Sequence, residues 1–280
     1  MKNMEVFKGS DKYVVTEELK NAVNVSIALQ KPLLIKGEPG TGKTMLAEAI
    51  ADALDMDLLI WGIKSTTKAQ EGLYVYDTVQ RLYDSQFGEG NVSDIKQYIK
   101  LGKLGEAFNS DKQVVLLIDE IDKADLEFPN DLLWELDKME FYINETKETI
   151  KTKHRPIVII TSNAEKELPD AFLRRCIFHY IEFPNAEKME EIVKVHFGDV
   201  DEKLVEKAME AFYEIRNTRE IQKKPSTSEL LDWIQALMIS GVDLDTIKNK
   251  VPYLGVLLKK NQDIDILTDI KEKGYSTKRW

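Results

Sequence analysis

The chain has one cysteine in 280 residues, Cys176, so no intramolecular disulfide can form and the expected setting is a reducing, cytoplasmic one. It lacks long apolar runs. Val114 to Ile118 is typical of its buried stretches, far short of the roughly 20 residues that a membrane-spanning helix needs. The first twelve residues, MKNMEVFKGSDK, contain no apolar segment of the kind a signal peptide requires, which again leads us to expect a soluble cytoplasmic protein with no membrane partner. Positive charge is in deficit: 39 Lys and Arg against 49 Asp and Glu leave a formal charge of −10. A field of that sign repels phosphate backbones and anionic membranes, so nucleic acid is not the expected partner. The three histidines, His154, His179 and His196, are scattered, and none stands with Cys176 or carboxylates at a zinc-ligand spacing. There are no internal repeats or low-complexity tracts. A hydrophobic share of 43% and a charged share of 31% are those of a folded globular chain, which excludes global disorder.

Five short runs rich in Val, Ile and Leu read as buried strands: Leu33–Ile35, Leu58–Trp61, Val114–Ile118, Ile157–Ile160 and Ile177–Phe183. Helical spacing lies between them, as in Leu46, Ile50, Ala53 and Leu54, or Leu132, Leu133 and Leu136. Strand alternating with helix predicts an α/β fold whose parallel sheet is covered on both faces. Phe141–Ile143 and Glu148–Ile150, separated by a polar stretch, predict a hairpin before the fourth run. After Phe183-Pro184-Asn185 only helical periodicity remains. We therefore expect a core domain over 1–184 and a small all-helical domain over 185–280. In the latter, Leu204, Ala208, Phe212 and Ile215 share a face, and Ser226 with Glu229 forms a capping box ahead of Leu230, Leu231 and Ile234. The closing residues KEKGYSTKRW read as a polar tail that frays.

The first strand runs into Gly37-Glu38-Pro39-Gly40-Thr41-Gly42-Lys43-Thr44 and then a helical pattern beginning at Met45. G-x-x-x-x-G-K-[ST] between strand and helix is a phosphate cradle. Its glycines let backbone N–H groups turn inward, and the helix N-terminus adds positive potential. Lys43 is expected on the β and γ phosphates and Thr44 on Mg²⁺. The third strand ends in Asp119-Glu120, with Asp119 placed to hold Mg²⁺ and Glu120 to polarise a water; an acidic turn leading into a helix is the alternative, and Asp122 reads that way. The fourth strand ends in Thr161-Ser162-Asn163. Asn163 can sense the γ-phosphate or simply close an Asx turn, and the residue alone does not separate the two.

Arg174-Arg175, two of only seven arginines, precede the fifth strand. They are candidates for an arginine finger on a neighbouring subunit; as an isolated pair they read first as solvated charge at a strand edge. Asn249-Lys250-Val251-Pro252 lacks the aspartate of a guanine-reading motif, leaving ATP as the expected nucleotide. The basic stretch Lys147, Lys151, Lys153, His154, Arg155 is read as solvated loop tips in preference to a surface for DNA or an acidic client.

In this order, GEPGTGKT, VVLLIDEIDKA and TSNAEKELPDAFLRRC resemble the AAA+ ATPases, and within them the MoxR-like group, over roughly Tyr13 to Leu237. The resemblance implies a P-loop NTPase core, an αβα sandwich on a five-stranded parallel sheet, with a C-terminal helical lid. It further implies ATP and Mg²⁺ as cofactors and a ring, usually a hexamer. The hairpin resembles that group's pre-sensor insertion, Asn163 stands where sensor 1 stands, and Arg175 takes the finger position with Arg174 as fallback. A partner carrying a von Willebrand factor A domain and a client protein are also implied, making the protein a remodelling chaperone. The alternatives from other classes are an AAA+ motor on nucleic acid and a small-molecule kinase. Two features depart from the group. Ser228 stands where sensor 2 would be an arginine, with Lys223 and Lys224 just upstream, so sensor 2 is unassigned. The tyrosine-rich segment Lys64 to Phe108 corresponds to a pore-facing insertion, in which Tyr74 and Tyr76 either grip a client or belong to the core.

Overall fold

The computed structural model describes residues 6–88 and 91–276. Among the described residues the chain divides into two compact units, one made of 6–10, 15–37 and 43–181, the other of 11–14, 38–42 and 182–276. The main break falls between Ile181 and Glu182, and the cradle segment Glu38–Gly42 is grouped with the second unit.

In the first unit, α1 (Glu17–Leu29), β1 (Leu33–Gly37), α2 (Lys43–Leu54) and β2 (Leu58–Gly62) come first. Thr16 caps α1 by accepting the Leu19 N–H, and Gln30 ends it in the left-handed region. An insertion follows: α3 (Ala69–Leu73), β3 (Tyr74–Tyr76), α4 (Thr78–Phe87), β4 (Ile99–Leu101) and α5 (Lys103–Phe108). Then come β5 (Val115–Asp119), α6 (Phe128–Asp131), α7 (Leu133–Lys138), the antiparallel hairpin β6 (Glu140–Ile143) and β7 (Glu148–Lys151), β8 (Ile157–Ser162), α8 (Asp170–Leu173) and β9 (Ile177–Ile181).

The main sheet is five-stranded and parallel, in the order β2-β5-β8-β1-β9. Its central strands are the most apolar in the chain, and β8 is buried along its whole length, as a sheet covered on both faces requires. Leu116, Ile118 and Ile160 pack with Phe108, Phe128 and Phe172 in the main core of this unit. Parallel pairing aligns strand ends: Lys36 lies beside Ser162, Ile118 beside Ile160 and Gly62 beside Asp119. The carboxyl ends of β1, β5 and β8 therefore share one edge, and this alignment builds the site.

The fifth strand stops at Ile181, two residues before its apolar run does, because Phe183 stacks on Phe212 in the second unit instead of continuing the sheet. The insertion forms its own two-stranded sheet of β3 and β4. Tyr74 is buried, stacks on Phe141 and accepts the Asn144 N–H at its hydroxyl, so it belongs to the core and is withdrawn from any pore. Tyr76 accepts from Arg81, and Tyr98 donates to the buried Asp84. Gly102 and Gly105 have no room for a Cβ: one built on either would lie 2.0 Å from a backbone carbonyl of Glu71 or Leu73.

The second unit carries α9 (Ala186–Phe197), α10 (Glu202–Asn217), α11 (Thr227–Ser240), α12 (Leu244–Lys250), α13 (Leu254–Leu257) and α14 (Asn261–Ser276). Asn185, Asp201 and Ser226 cap α9, α10 and α11, and Ser226 with Glu229 closes a full capping box. Phe212, Leu230, Trp233 and Ile234 are buried in its core, and the Trp233 indole donates to the Pro252 carbonyl. The fully buried Asp263 of α14 accepts the backbone N–H groups of Gln222 and Lys223, pinning the α10–α11 connection. Lys271–Ser276, expected to fray, continue α14; the last four residues lie outside the described set. No helix among the described residues is long and apolar enough to cross a membrane.

Candidate active site

At the shared strand edge, β1 delivers Gly37 and α2 opens with Lys43 and Thr44. Lys43 is buried and donates from Nζ to the Gly37 carbonyl at 3.0 Å, so its ammonium is folded back onto the end of β1. The Thr44 hydroxyl donates to the Asp119 carboxylate, 3.1 Å from Oδ1 and 3.3 Å from Oδ2. A hydroxyl and a carboxylate side by side are the hard oxygen donors that suit Mg²⁺. Gly40 and Gly42 have φ of +74° and +82°, a conformation that only glycine adopts at no steric cost. Thr41 donates to the Glu38 carbonyl and tightens the turn. Met45 is exposed on the first turn of α2.

Glu120 follows Asp119 with φ of +60°, in the left-handed region. Its N–H donates to Thr161 Oγ1 at 2.8 Å, and that hydroxyl donates in turn to Asp119 Oδ1 at 2.6 Å. The Glu120 carboxylate is held at both oxygens. Asn163 Nδ2 donates to Oε1 at 2.9 Å, and the Lys123 ammonium pairs with Oε2. That bond raises the Lys123 pKa above its ordinary value. Asn163 therefore touches the glutamate directly and does not close a local turn with its side chain.

Asp122 lies in the first turn of a short 3-10 helix, Ile121–Lys123, as a helix-entry residue would, but its side chain does other work. It is buried, and its carboxylate accepts the backbone N–H groups of Asn163 and Glu165, so it secures the loop after β8 and caps no helix of its own. Lys166 adds bonds to the carbonyls of Lys123 and Ala124.

Arg174 and Arg175 do not join this group. They stand just before β9, where Ile177 N–H donates to the Pro32 carbonyl at the start of β1. That is the other end of the sheet, roughly 15 Å away along a five-residue strand. Arg175 donates from Nε to Asp137 at 2.6 Å and from Nη1 to the Ala171 carbonyl at 2.8 Å. Cys176 beside it is partly buried, and that burial pushes its thiol up to about 12. The basic hairpin residues are tied within the fold: Lys153 to Asp111, Lys151 to Glu140, and Arg155 to the Leu136 carbonyl.

The model of the ATPase family associated with various cellular activities (AAA) matches residues 33–185, more than half of the chain. The chain belongs to the AAA family of ATPases. Pachytene checkpoint protein 2 of Saccharomyces cerevisiae is 27% identical over 197 residues, covering 62% of this chain and 32% of that protein. Its Homo sapiens homolog is 28% identical over 204 residues, covering 68% and 43%. The AAA chain thus spans well under half the length of the curated relatives it matches. Among solved structures, the RuvB Holliday junction branch migration motor of Thermotoga maritima superposes with a TM-score of 0.54 at 14% identity, covering 88% of this chain and 73% of that one, a likeness of fold.

Sequence reading missed one residue of the cradle's surroundings in the second unit, Arg216. It is nearly buried, donates from Nη2 to Glu38 Oε2 and from Nη1 to the Pro225 carbonyl, both at 2.7 Å, and lies 3.3 Å from the centre of the Phe183 ring. The signal was present: Arg216 follows Phe212 by four residues and so falls on the buried stripe of α10, where a cation is out of place unless it has a partner. Ser228, Lys223 and Lys224, considered for the sensor 2 position, are exposed.

Proposed function

We propose that this AAA ATPase binds ATP with Mg²⁺ on Gly37–Met45 and hydrolyses it to remodel a partner protein, working as a ring of identical subunits, by its MoxR-like resemblance a hexamer. Residues 1–184 serve as the nucleotide-binding core and 185–280 as its helical lid. The observation that carries this reading is the Glu120 carboxylate, held by Asn163 beside the Thr44–Asp119 pair. A carboxylate at that position orients a water for attack on a γ-phosphate, and the asparagine ties its placement to the strand end where the phosphate binds. Lys43 neutralises charge developing on the transferring group. Thr44 and Asp119 are suited to hold Mg²⁺, which when bound offsets phosphate charge. Arg175 acts in trans on the neighbouring subunit's nucleotide, with Arg174 beside it; what supports a trans role is that both lie at the far end of their own sheet. A partner with a von Willebrand factor A domain, and a client protein, follow from the MoxR-like resemblance.

The test is subunit mixing. Arg175→Ala has a sound nucleotide site but no finger, whereas Lys43→Ala has a finger but no site. Each alone is expected to lose turnover by about 10³-fold or more, and mixed rings to recover part of it. Absence of recovery overturns the finger in trans. For the partner, Glu120→Gln loaded with ATP is expected to retain a von Willebrand factor A domain protein from cell extract; retention of nuclease-sensitive DNA instead supports the nucleic-acid motor.

A further inference from the structure

The end of the sheet away from Glu120 carries an open cleft of about 310 Å³, lined in part by Lys31, Asp137, Arg155, Arg174 and Arg175. It holds four cations and one carboxylate, and the carboxylate discriminates between the two adjacent arginines. Arg175 is anchored at two of its three guanidinium nitrogens, by Asp137 at Nε and by the Ala171 carbonyl at Nη1. Among the described residues no acceptor is bonded to its Nη2. Arg174 is exposed and its side chain has no hydrogen bond or ion pair among the described residues. A planar guanidinium fixed at two nitrogens presents the third in a set direction, which is the condition for bonding an incoming oxygen without first losing side-chain freedom.

Both partners are about two-fifths exposed, 41% for Arg175 and 43% for Asp137, so their ion pair adds little to folding stability. The pair has geometry without much stabilising value, as expected of a bond that aims a side chain. Asp137 also faces Arg155, whose guanidinium is fixed by the Leu136 carbonyl and whose pKa burial lowers while Asp137 opposes the shift. It is thus a single anion shared between two anchored cations.

We propose that Asp137 is the positioning residue for Arg175, holding its guanidinium so that Nη2 points out of the cleft toward a phosphoryl oxygen of the neighbouring subunit's nucleotide. This rests on the trans-finger reading above. Asp137 touches no substrate and acts only through Arg175.

The experiment uses full-length protein assembled with ATP. Asp137→Ala is expected to lower kcat about 10-fold or more with KM for ATP within about twofold. Asp137→Asn, which keeps an acceptor for Nε, should lie between the two. The melting temperature should move by no more than about 2 °C. Mixed with Lys43→Ala subunits, whose Asp137 and Arg175 are intact, Asp137→Ala should regain turnover as Arg175→Ala does. If Arg175→Ala recovers on mixing while Asp137→Ala alone keeps full kcat, the finger stands and the positioning role is overturned. If Asp137→Ala is slow and mixing with Lys43→Ala does not help it, its defect lies in its own subunit and the proposal fails. If Arg175→Ala itself fails to recover, the trans reading falls and the proposal with it.

Discussion

The two ends of the five-stranded sheet are built on opposite plans. At the carboxyl ends of β1, β5 and β8, polar groups are bonded to one another: Thr44 to Asp119, Thr161 to both Asp119 and Glu120, Asn163 and Lys123 to Glu120. At the other end, around the start of β9, Arg174 has no partner among the described residues and Arg175 has two, leaving one nitrogen open. A network closed on itself keeps its shape before anything binds, whereas an open cationic edge has something left to give to another molecule. On the function proposed above, a subunit built this way would hold complementary halves of two different sites.

Substitutions separate the two plans. The largest effect is expected from Lys43→Ala, which removes the buried ammonium from the cradle and should abolish ATP binding in a calorimetric titration. Retained affinity would mean that the closed end is not the nucleotide site. Glu120→Gln keeps the shape of the side chain but loses the charge; it should bind ATP normally and release phosphate at least about 100-fold more slowly. Thr161→Val probes the network itself. Removing the hydroxyl leaves the Glu120 N–H without its acceptor and takes one of two donors from Asp119 Oδ1, Thr44 remaining, and denaturant unfolding should report a loss of about 1–3 kcal/mol. The smallest effect belongs to the open end: Arg174→Ala should leave stability within about 0.5 kcal/mol of the parent. If Arg174→Ala destabilised as much as Thr161→Val, the contrast between the ends would be wrong.

The core strands were legible because each is a compact run of Val, Ile and Leu bounded by polar or turn-forming residues, and the capping box at Ser226 because its signature is local. The cradle and Asp119-Glu120 were legible for the same reason, each being a contiguous motif. What escaped was non-local. Asn163 and Glu120 meet across 43 positions, and Asp122 reaches two N–H groups 41 and 43 residues on; no local period encodes either. The strands β3 and β4 escaped because three residues are too few to display alternation. Phe183 misled because an apolar side chain does not reveal which of two cores it will enter.

The φ of +60° at Glu120 has a genetic consequence. Single-base changes in a glutamate codon reach Gln, Lys, Asp, Ala, Gly and Val. On a left-handed backbone these fall into ranks that chemistry alone would not set: valine, branched at Cβ, is the worst fit; glycine relieves the backbone while deleting the carboxylate; aspartate suits the conformation and keeps the charge one methylene short of Asn163. Alleles equally silent in catalysis should therefore differ in how much folded protein they leave in the cell, with valine at the bottom and glycine near the top.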